Sequence, residues 1–290
     1  MNIFHSVAAA AAFAGLVAAA APAAACPDAA AMRAAAEDWL ALRPMTALAA
    51  GVATADAYCG QAAFVARLAE SLGPAIGYKV GFTSAPAQQR FGLAGPVAGV
   101  LFAPMLLGDG FRLSLAMARQ PMYEADLVVT IADAAVNDAT TPLQAARSLG
   151  RVMPFIEVPD MALGDGQRPN AATFVAYDVL PRFGVLGAGV PVEATPAFVD
   201  ALGRLAVTVV DRSGRTLSEG SGAALLGHPL QPLLWLVAHL KAQGGGLKAG
   251  EIVSLGSIGA PLPAKAGDRI TVRYAGLGAA PMTVSVAFIE

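Results

Sequence analysis

Histidine is scarce in this 290-residue chain, with three in all, and cysteine scarcer still, at Cys26 and Cys59 alone. Two thiols so far apart, with no histidine near them, argue against a zinc site. Charged residues make up 14% of the chain, the net charge is −2, and no cluster of lysine or arginine occurs. That excludes the basic footprint of a nucleic-acid binder. Beyond residue 26 no unbroken apolar run reaches the roughly 18 residues that a membrane-spanning helix needs. No Ser/His/Asp or Cys/His arrangement stands out, and no glycine-rich phosphate loop follows a strand at the required spacing. What is abundant is apolar: 56% of residues, with alanine supplying most of the excess. A chain of this length and composition holds one large, core-rich domain, or one domain with a small cap.

The first 25 residues differ from the rest. An alanine-rich apolar run ends in Pro22 and Ala23-Ala24-Ala25, the pattern of an export signal cleaved after Ala25. No Lys or Arg precedes it, so an alanine-rich leader without export is the competing reading. Export places the protein in the periplasm or outside the cell; without it the protein is cytoplasmic. Cys26 directly after the small residues would also permit lipidation, although Ala23 stands where a leucine is usual. In an oxidising compartment Cys26 and Cys59 could form a disulfide; two unpaired thiols are the alternative.

Against so little charge, three acids are conspicuous. Glu124 and Asp126 lie in Met122-Tyr-Glu-Ala-Asp-Leu-Val-Val-Thr-Ile131, where Tyr123, Ala125, Leu127, Val129 and Ile131 alternate with them. In a strand, side chains two apart share a side, so the two carboxylates project together. Glu157 sits in a second apolar run, Val152 to Val158. A solvent-facing edge strand would explain such acids trivially. Acids held against apolar strands instead repel and desolvate one another unless a cation lies between them. Oxygen-only donors favour Mg²⁺ or Mn²⁺ over zinc.

Residues 26–93 read as a mainly helical segment and residues 94–290 as a β-rich domain, giving an α+β class. Asp28 caps a helix that ends before Pro44; a second runs from Thr54 to Leu72, closed by Gly73; Ala85 to Phe91 is a short third. Tyr78 to Thr83 reads as a buried strand. Pro142, after Thr140 and Thr141, opens a short helix that Gly150 ends. Leu205–Asp211 and Arg215–Glu219 form a hairpin. His228 to Gln243 is a long helix with Leu230, Leu233, Leu234, Val237 and Leu240 on its apolar stripe. Strands follow at Glu251–Leu255, Arg269–Tyr274 and Met282–Phe288.

Six segments then stand together in order: Tyr78-Lys-Val-Gly-Phe-Thr-Ser, Gln120-Pro-Met-Tyr-Glu-Ala-Asp, Met153-Pro-Phe-Ile-Glu, Gly220-Ser-Gly-Ala-Ala-Leu-Leu-Gly-His-Pro, Leu247-Lys-Ala-Gly-Glu-Ile-Val-Ser-Leu-Gly-Ser and Lys265-Ala-Gly-Asp. From about Ala29 to its C-terminus the chain resembles the 2-keto-4-pentenoate hydratase and 4-oxalocrotonate decarboxylase family, within the fumarylacetoacetase superfamily. The resemblance implies a fumarylacetoacetase-like mixed β-roll with a small N-terminal helical segment, and commonly a homo-oligomer. It implies Mg²⁺ or Mn²⁺ held by Glu124, Asp126 and Glu157. Asp126 replaces the usual second Glu, shortening that ligand by one carbon–carbon bond.

The implied substrate is a 2-oxo acid, chelated through its carboxylate and keto oxygen, so that the ion stabilises an enolate. Lys79 matches the family's lysine, open to acid–base work in a desolvated site; a surface lysine is the plainer alternative. Ser257 matches a hydroxyl residue that faces ligand, or else is a turn residue. Two departures stand out: Leu101-Phe102-Ala103-Pro104 lacks an acid, and Ala176-Tyr177-Asp178-Val179-Leu180 replaces Ala-Asp-Asn-Ala-Ser. Both remove groups that could position water. Arg182 could compensate by meeting a second substrate carboxylate. His228 and His239 read as structural. The expected activity is a metal-dependent hydro-lyase adding water to a 2-hydroxy-2,4-dienoate through its 2-oxo tautomer. The alternatives are a 2-oxo diacid decarboxylase and a catalytically altered 2-oxo-acid-binding protein.

Overall fold

The structure is a computed structural model that describes residues 26–290. The expected export leader, residues 1–25, lies outside the described residues.

The N-terminal part begins with α1 (Ala29–Leu40) and α2 (Thr54–Leu72), then β1 (Ala75–Gly81), α3 (Ala85–Phe91) and β2 (Val97–Phe102). Asp28 caps α1 by accepting from the Ala30 amide at 3.1 Å. Gly73 ends α2 at φ 85°, in the region that favours glycine. The two helices meet along Met32, Ala35, Ala36 and Trp39 on one side and Ala57, Gly60, Phe64 and Leu68 on the other. Both stripes follow the three-and-four spacing of an amphipathic helix. Each fully buried Phe or Leu contributes roughly 1.5–3 kcal/mol. Cys26 and Cys59 form a disulfide with a Cα–Cα distance of 5.4 Å, tying the segment before α1 to α2.

The middle of the chain supplies β3 (Leu106–Gly108), β4 (Phe111–Ser114), β5 (Met122–Ile131), α4 (Pro142–Ala146), β6 (Leu149–Val158), α5 (Ala171–Ala176), β7 (Phe183–Leu186) and β8 (Val190–Pro191). The C-terminal part adds α6 (Pro196–Gly203), β9 (Ala206–Val210), β10 (Thr216–Ser221), α7 (Leu230–Ala242), β11 (Ile252–Ser257), β12 (Leu262–Pro263), β13 (Arg269–Ala275) and β14 (Met282–Ile289). Strands β2-β1-β11-β5-β6-β7-β3 form one sheet in that order, with β12 beside β5 and β8 beside β6; strands β10-β9-β13-β14-β4 form the second. The mixed α+β class read from the sequence is the one observed.

The sheets face each other across the main core. Leu127, Val129 and Ile156 of the first meet Val207, Val272, Tyr274, Val284 and Val286 of the second. The odd-numbered residues of β5, Tyr123 through Ile131, are all buried there, as the alternation predicts. Its even-numbered residues face the other way, where Val128 packs with Leu101, Met153, Phe155 and Ile252. Both faces of β5 are therefore covered. Glu124 and Asp126 do not lie on a solvated edge.

The division at residue 93 is not a structural one. Strand β1 sits inside the large sheet between β2 and β11, and α1 and α2 share a second core with Val97, Met105, Leu163 and residues 172–180. Two helices escaped the sequence reading: α5, capped by Asn170, and α6, capped by Thr195 with Pro196 in its first turn. The Thr-Pro pair before α6 was a readable start signal; α5 is too short and too apolar to show a period. In α7, Leu236 is fully buried and Leu234 only partly so.

Candidate active site

The site grows from the register of three strands. In the β5/β6 pair Glu124 stands directly opposite Glu157, and Asp126 opposite Phe155. Directly opposed residues in an antiparallel pair have Cα atoms roughly 4.5–5.5 Å apart and side chains on one face. Two carboxylates of β5 and one of β6 thus share one side of the sheet. On that side β11 places Ser257 opposite Asp126 and Ser254 opposite Val128. Strand β1 adds Lys79, paired with Ser254 on one flank and Gly99 on the other.

Lys79 is not a surface residue. It is 3% exposed, and its ammonium forms an ion pair with Glu157, itself 5% exposed. It also donates to the Val179 carbonyl at 3.1 Å. Burial pulls the Lys79 pKa down, while Glu124, Asp126 and Asp178 pull it back up. Asp126 is fully buried. It accepts from the Ser254 hydroxyl through one oxygen and from the Leu127 amide, at 2.5 Å, through the other. Burial pushes its carboxyl up to about 7, helped by Glu124 and opposed by Ser254, the Leu127 amide and Lys79. Glu124 is likewise raised by burial, with Lys79 and Ser257 working against the shift. The Ser257 hydroxyl donates to Gly259 at 2.9 Å.

Asp178 is the group that sequence reasoning missed. It is fully buried; one oxygen accepts from the Val100 amide at 2.7 Å and the other has no partner among the described residues. Burial raises its pKa to about 8, with Lys79 opposing. Asp178, Val179 and Leu180 have φ values of 57°, 60° and 50°, three consecutive non-glycine residues in the left-handed region. Such backbone is costly and concentrates at functional sites. The segment closes on the strands because Gly99 has no side chain: a Cβ there would lie 2.5 Å from the Asp178 carbonyl. The sequence signal was an acid in an otherwise apolar run, Ala176 to Leu180.

Arg182 bonds within the protein. Its Nε donates to the Met117 carbonyl at 2.8 Å and its Nη1 to the Trp39 carbonyl at 2.9 Å. The guanidinium lies 4.2 Å from the Trp39 ring centroid. Those contacts bind α1 to the chain after Asp178 and engage two of the five N–H donors of Arg182, which also borders the cavity beside Lys79 and Glu157. The two other candidates, His228 and His239, are structural: His228 Nδ1 accepts from the Leu230 amide and Nε2 lies 2.9 Å from the Val199 carbonyl, while His239 stacks on Trp235.

The donor set suits a hard divalent cation. Glu124, Asp126 and Glu157 offer oxygen only. Taking carboxylates out of water beside a single ammonium penalises their charged forms, and the upward shifts of Glu124 and Asp126 come chiefly from that burial. As the side chains stand, no three His, Cys, Asp or Glu among the described residues converge on one point: Glu157 is turned onto Lys79 and Asp126 onto Ser254. The backbone sets the face, and the fit lies in that shared face and in the donor chemistry.

A small cavity opens beside this cluster, walled by Leu101, Met105, Leu106, Phe155 and Phe183, with Lys79, Glu157, Ser254 and Arg182 as its polar members. Residues 87–285 match the family described as fumarylacetoacetate (FAA) hydrolase C-terminal. The chain belongs to this family. Within the FAA hydrolase family, it is 32% identical over 216 residues to the TodF product hydratase of Pseudomonas putida, covering 74% of this chain and 76% of that one. It is 31% identical over 203 residues to 2-keto-4-pentenoate hydratase 1 of Dechloromonas aromatica, 70% of this chain and 75% of that one. Among solved structures it is similar to the family member 4-oxalocrotonate decarboxylase from Pseudomonas putida, complexed with magnesium and adipate. That likeness has 27% identity and a TM-score of 0.78, and covers 90% of this chain and 97% of the other.

Proposed function

We propose that the chain is a lyase that adds water to a 2-hydroxy-2,4-dienoate through its 2-oxo tautomer, giving a 4-hydroxy-2-oxo acid. The curated relatives named hydratases support this reading, as does one observation in the site: Glu124 and Glu157 stand opposed beside Asp126, with Lys79 buried among them.

Glu124, Asp126 and Glu157 would hold a divalent cation, Mg²⁺ or Mn²⁺, which when bound supplies Lewis acidity to the carboxylate and keto oxygen of the substrate. A complex of the decarboxylase relative with magnesium supports this choice. Lys79 is the proton carrier. The 2-oxo tautomer forms as the enol oxygen gives up a proton and C5 gains one. The hydroxyl of water then bonds to C4, and the C3–C4 double bond opens to the enolate. The Lys79 ammonium gives its proton to C3, next to the ketone, and the proton that water releases restores Lys79. Glu157, paired with Lys79, holds its amino group toward the site. Ser257, whose register position opposite Asp126 supports the role, would meet the carboxylate end of the substrate. The apolar walls keep bulk water from the enolate.

Decarboxylation of a 2-oxo diacid is the second reading, favoured by the extent of the decarboxylase match. Against it, the curated relatives are named hydratases. Incubation with a 2-hydroxy-2,4-dienoate and with a matched 2-oxo diacid separates them. Water addition to the first without CO₂ release from the second is expected, and a chelator such as EDTA should abolish turnover until Mg²⁺ or Mn²⁺ is restored. CO₂ release alone would overturn the hydratase reading.

We further propose export to an oxidising compartment, supported by the leader and by the Cys26–Cys59 disulfide, and a homo-oligomeric assembly. Mass analysis of the mature N-terminus and light scattering test these two points.

A further inference from the structure

Tyr274 belongs to the second sheet, yet its hydroxyl ends at the carboxylate-bearing strands of the first. It is 1% exposed. The hydroxyl donates to the Asp126 carbonyl at 2.6 Å and lies 2.9 Å from the Phe155 carbonyl. Asp126 and Phe155 are themselves register partners, so one side chain spans a single rung of the β5/β6 ladder. The next rung on the same face, two residues along each strand, is Glu124 and Glu157. Burial holds the phenol protonated, well above its ordinary range, so it remains a donor. Its own backbone is fixed on both sides, paired with Val207 of β9 and Met282 of β14.

Asp126 makes this contact matter. An aspartate has one methylene fewer than a glutamate, so its carboxylate follows the backbone closely and cannot swing to absorb an error. Ligand distances in a metal site fall within about 0.2 Å of their standard values, and Mg²⁺ demands near-octahedral geometry at roughly 2.0–2.1 Å. Ser254 and the Leu127 amide orient the Asp126 carboxylate, but neither fixes where its Cα stands. Tyr274 bonds the Asp126 backbone itself, from the opposite face of the sheet.

We propose that Tyr274 is a positioning residue of the active site, setting from the second sheet the backbone position from which the short ligand Asp126 reaches a divalent cation. This rests on the metal-site reading above. Outer partners of metal ligands typically carry 10–100-fold in affinity.

The test is calorimetric titration with Mg²⁺ alone, on the full chain and four variants. Tyr274→Phe fills the same space and should weaken Mg²⁺ binding by about tenfold or more. Tyr177→Phe is the control: it removes another tyrosine hydroxyl bonded to a backbone carbonyl, that of Thr46, in the other core. It should lower the melting temperature comparably while leaving Mg²⁺ affinity within about twofold. In an Asp126→Glu background the longer ligand regains its freedom, so the added Tyr274→Phe should cost at most about threefold. Wild-type affinity in Tyr274→Phe, an equal loss in Tyr177→Phe, or an undiminished cost in the Asp126→Glu background would each overturn the assignment. A wild-type chain that binds no Mg²⁺ at millimolar concentration would instead fell the metal reading beneath it.

Discussion

Asp178 carries its own pH signature. A carboxyl that titrates near 3.8 when free is pushed up to about 8 by burial. Between those values the unfolded chain has released the proton and the folded chain retains it. The stability contributed by the protonated form is therefore complete below about pH 4 and lost as pH rises toward 8. Asp178→Asn cannot ionise and keeps an oxygen for the Val100 amide. Its melting temperature relative to the unmodified chain should climb steadily between pH 4 and pH 8 in thermal scans. A flat difference would show that burial does not control this group. At the same scale, the two acids of β5 were legible in sequence because their alternation with apolar residues is local. The setting of Arg182 was not: its partners, Met117 and Trp39, lie far away along the chain, and no local pattern announces a guanidinium held between them.

At the scale of elements, the register is decisive. Strands β5 and β6 were each readable from composition, but a shift of one residue between them would put Glu157 on the other face. The capped helices were equally readable: Asp28 before α1, Gly73 after α2, and the Thr141–Gln144 capping box of α4 all act within a few residues. Segment 178–180 was not, since its left-handed backbone exists only because β2 lets it approach at Gly99. A Gly99→Ala substitution should force that segment away, costing about 1–3 kcal/mol of stability. Because the Val179 carbonyl holds Lys79, turnover should fall along with it. Unchanged kcat in a destabilised Gly99→Ala protein would mean that the segment does not support the lysine.

Across the whole molecule, the N-terminal helices brace the site rather than cap it. The Gln61 side-chain amide donates to the Ala98 and Val175 carbonyls at 2.8 and 2.9 Å, and the Tyr58 hydroxyl accepts from the Ala98 amide. Those contacts fasten β2 and α5, the two elements that flank Asp178. Both side chains lie within two residues of Cys59, whose disulfide to Cys26 closes a separation of 33 residues. Reduction, or replacement of both cysteines by serine, should cost about 3–4 kcal/mol by loop entropy, read as a lower denaturation midpoint in urea. Retention of the full midpoint after reduction would show that packing of α1 on α2 alone holds the segment.

The amino-acid order by itself determined whatever depends on neighbours a few residues apart: helix caps, the period-two faces of the strands, and the pairing of Glu124 with Asp126 on one side. The tertiary structure alone decided which distant groups meet: Glu157 opposite Glu124, Lys79 between them, Asp178 behind the lysine, Arg182 on Trp39 and Tyr274 beneath Asp126. The division is physical. Backbone geometry carries local side chains to a fixed face whatever the rest of the chain does, whereas contacts between strands depend on how two sheets and a helical brace share the same buried volume.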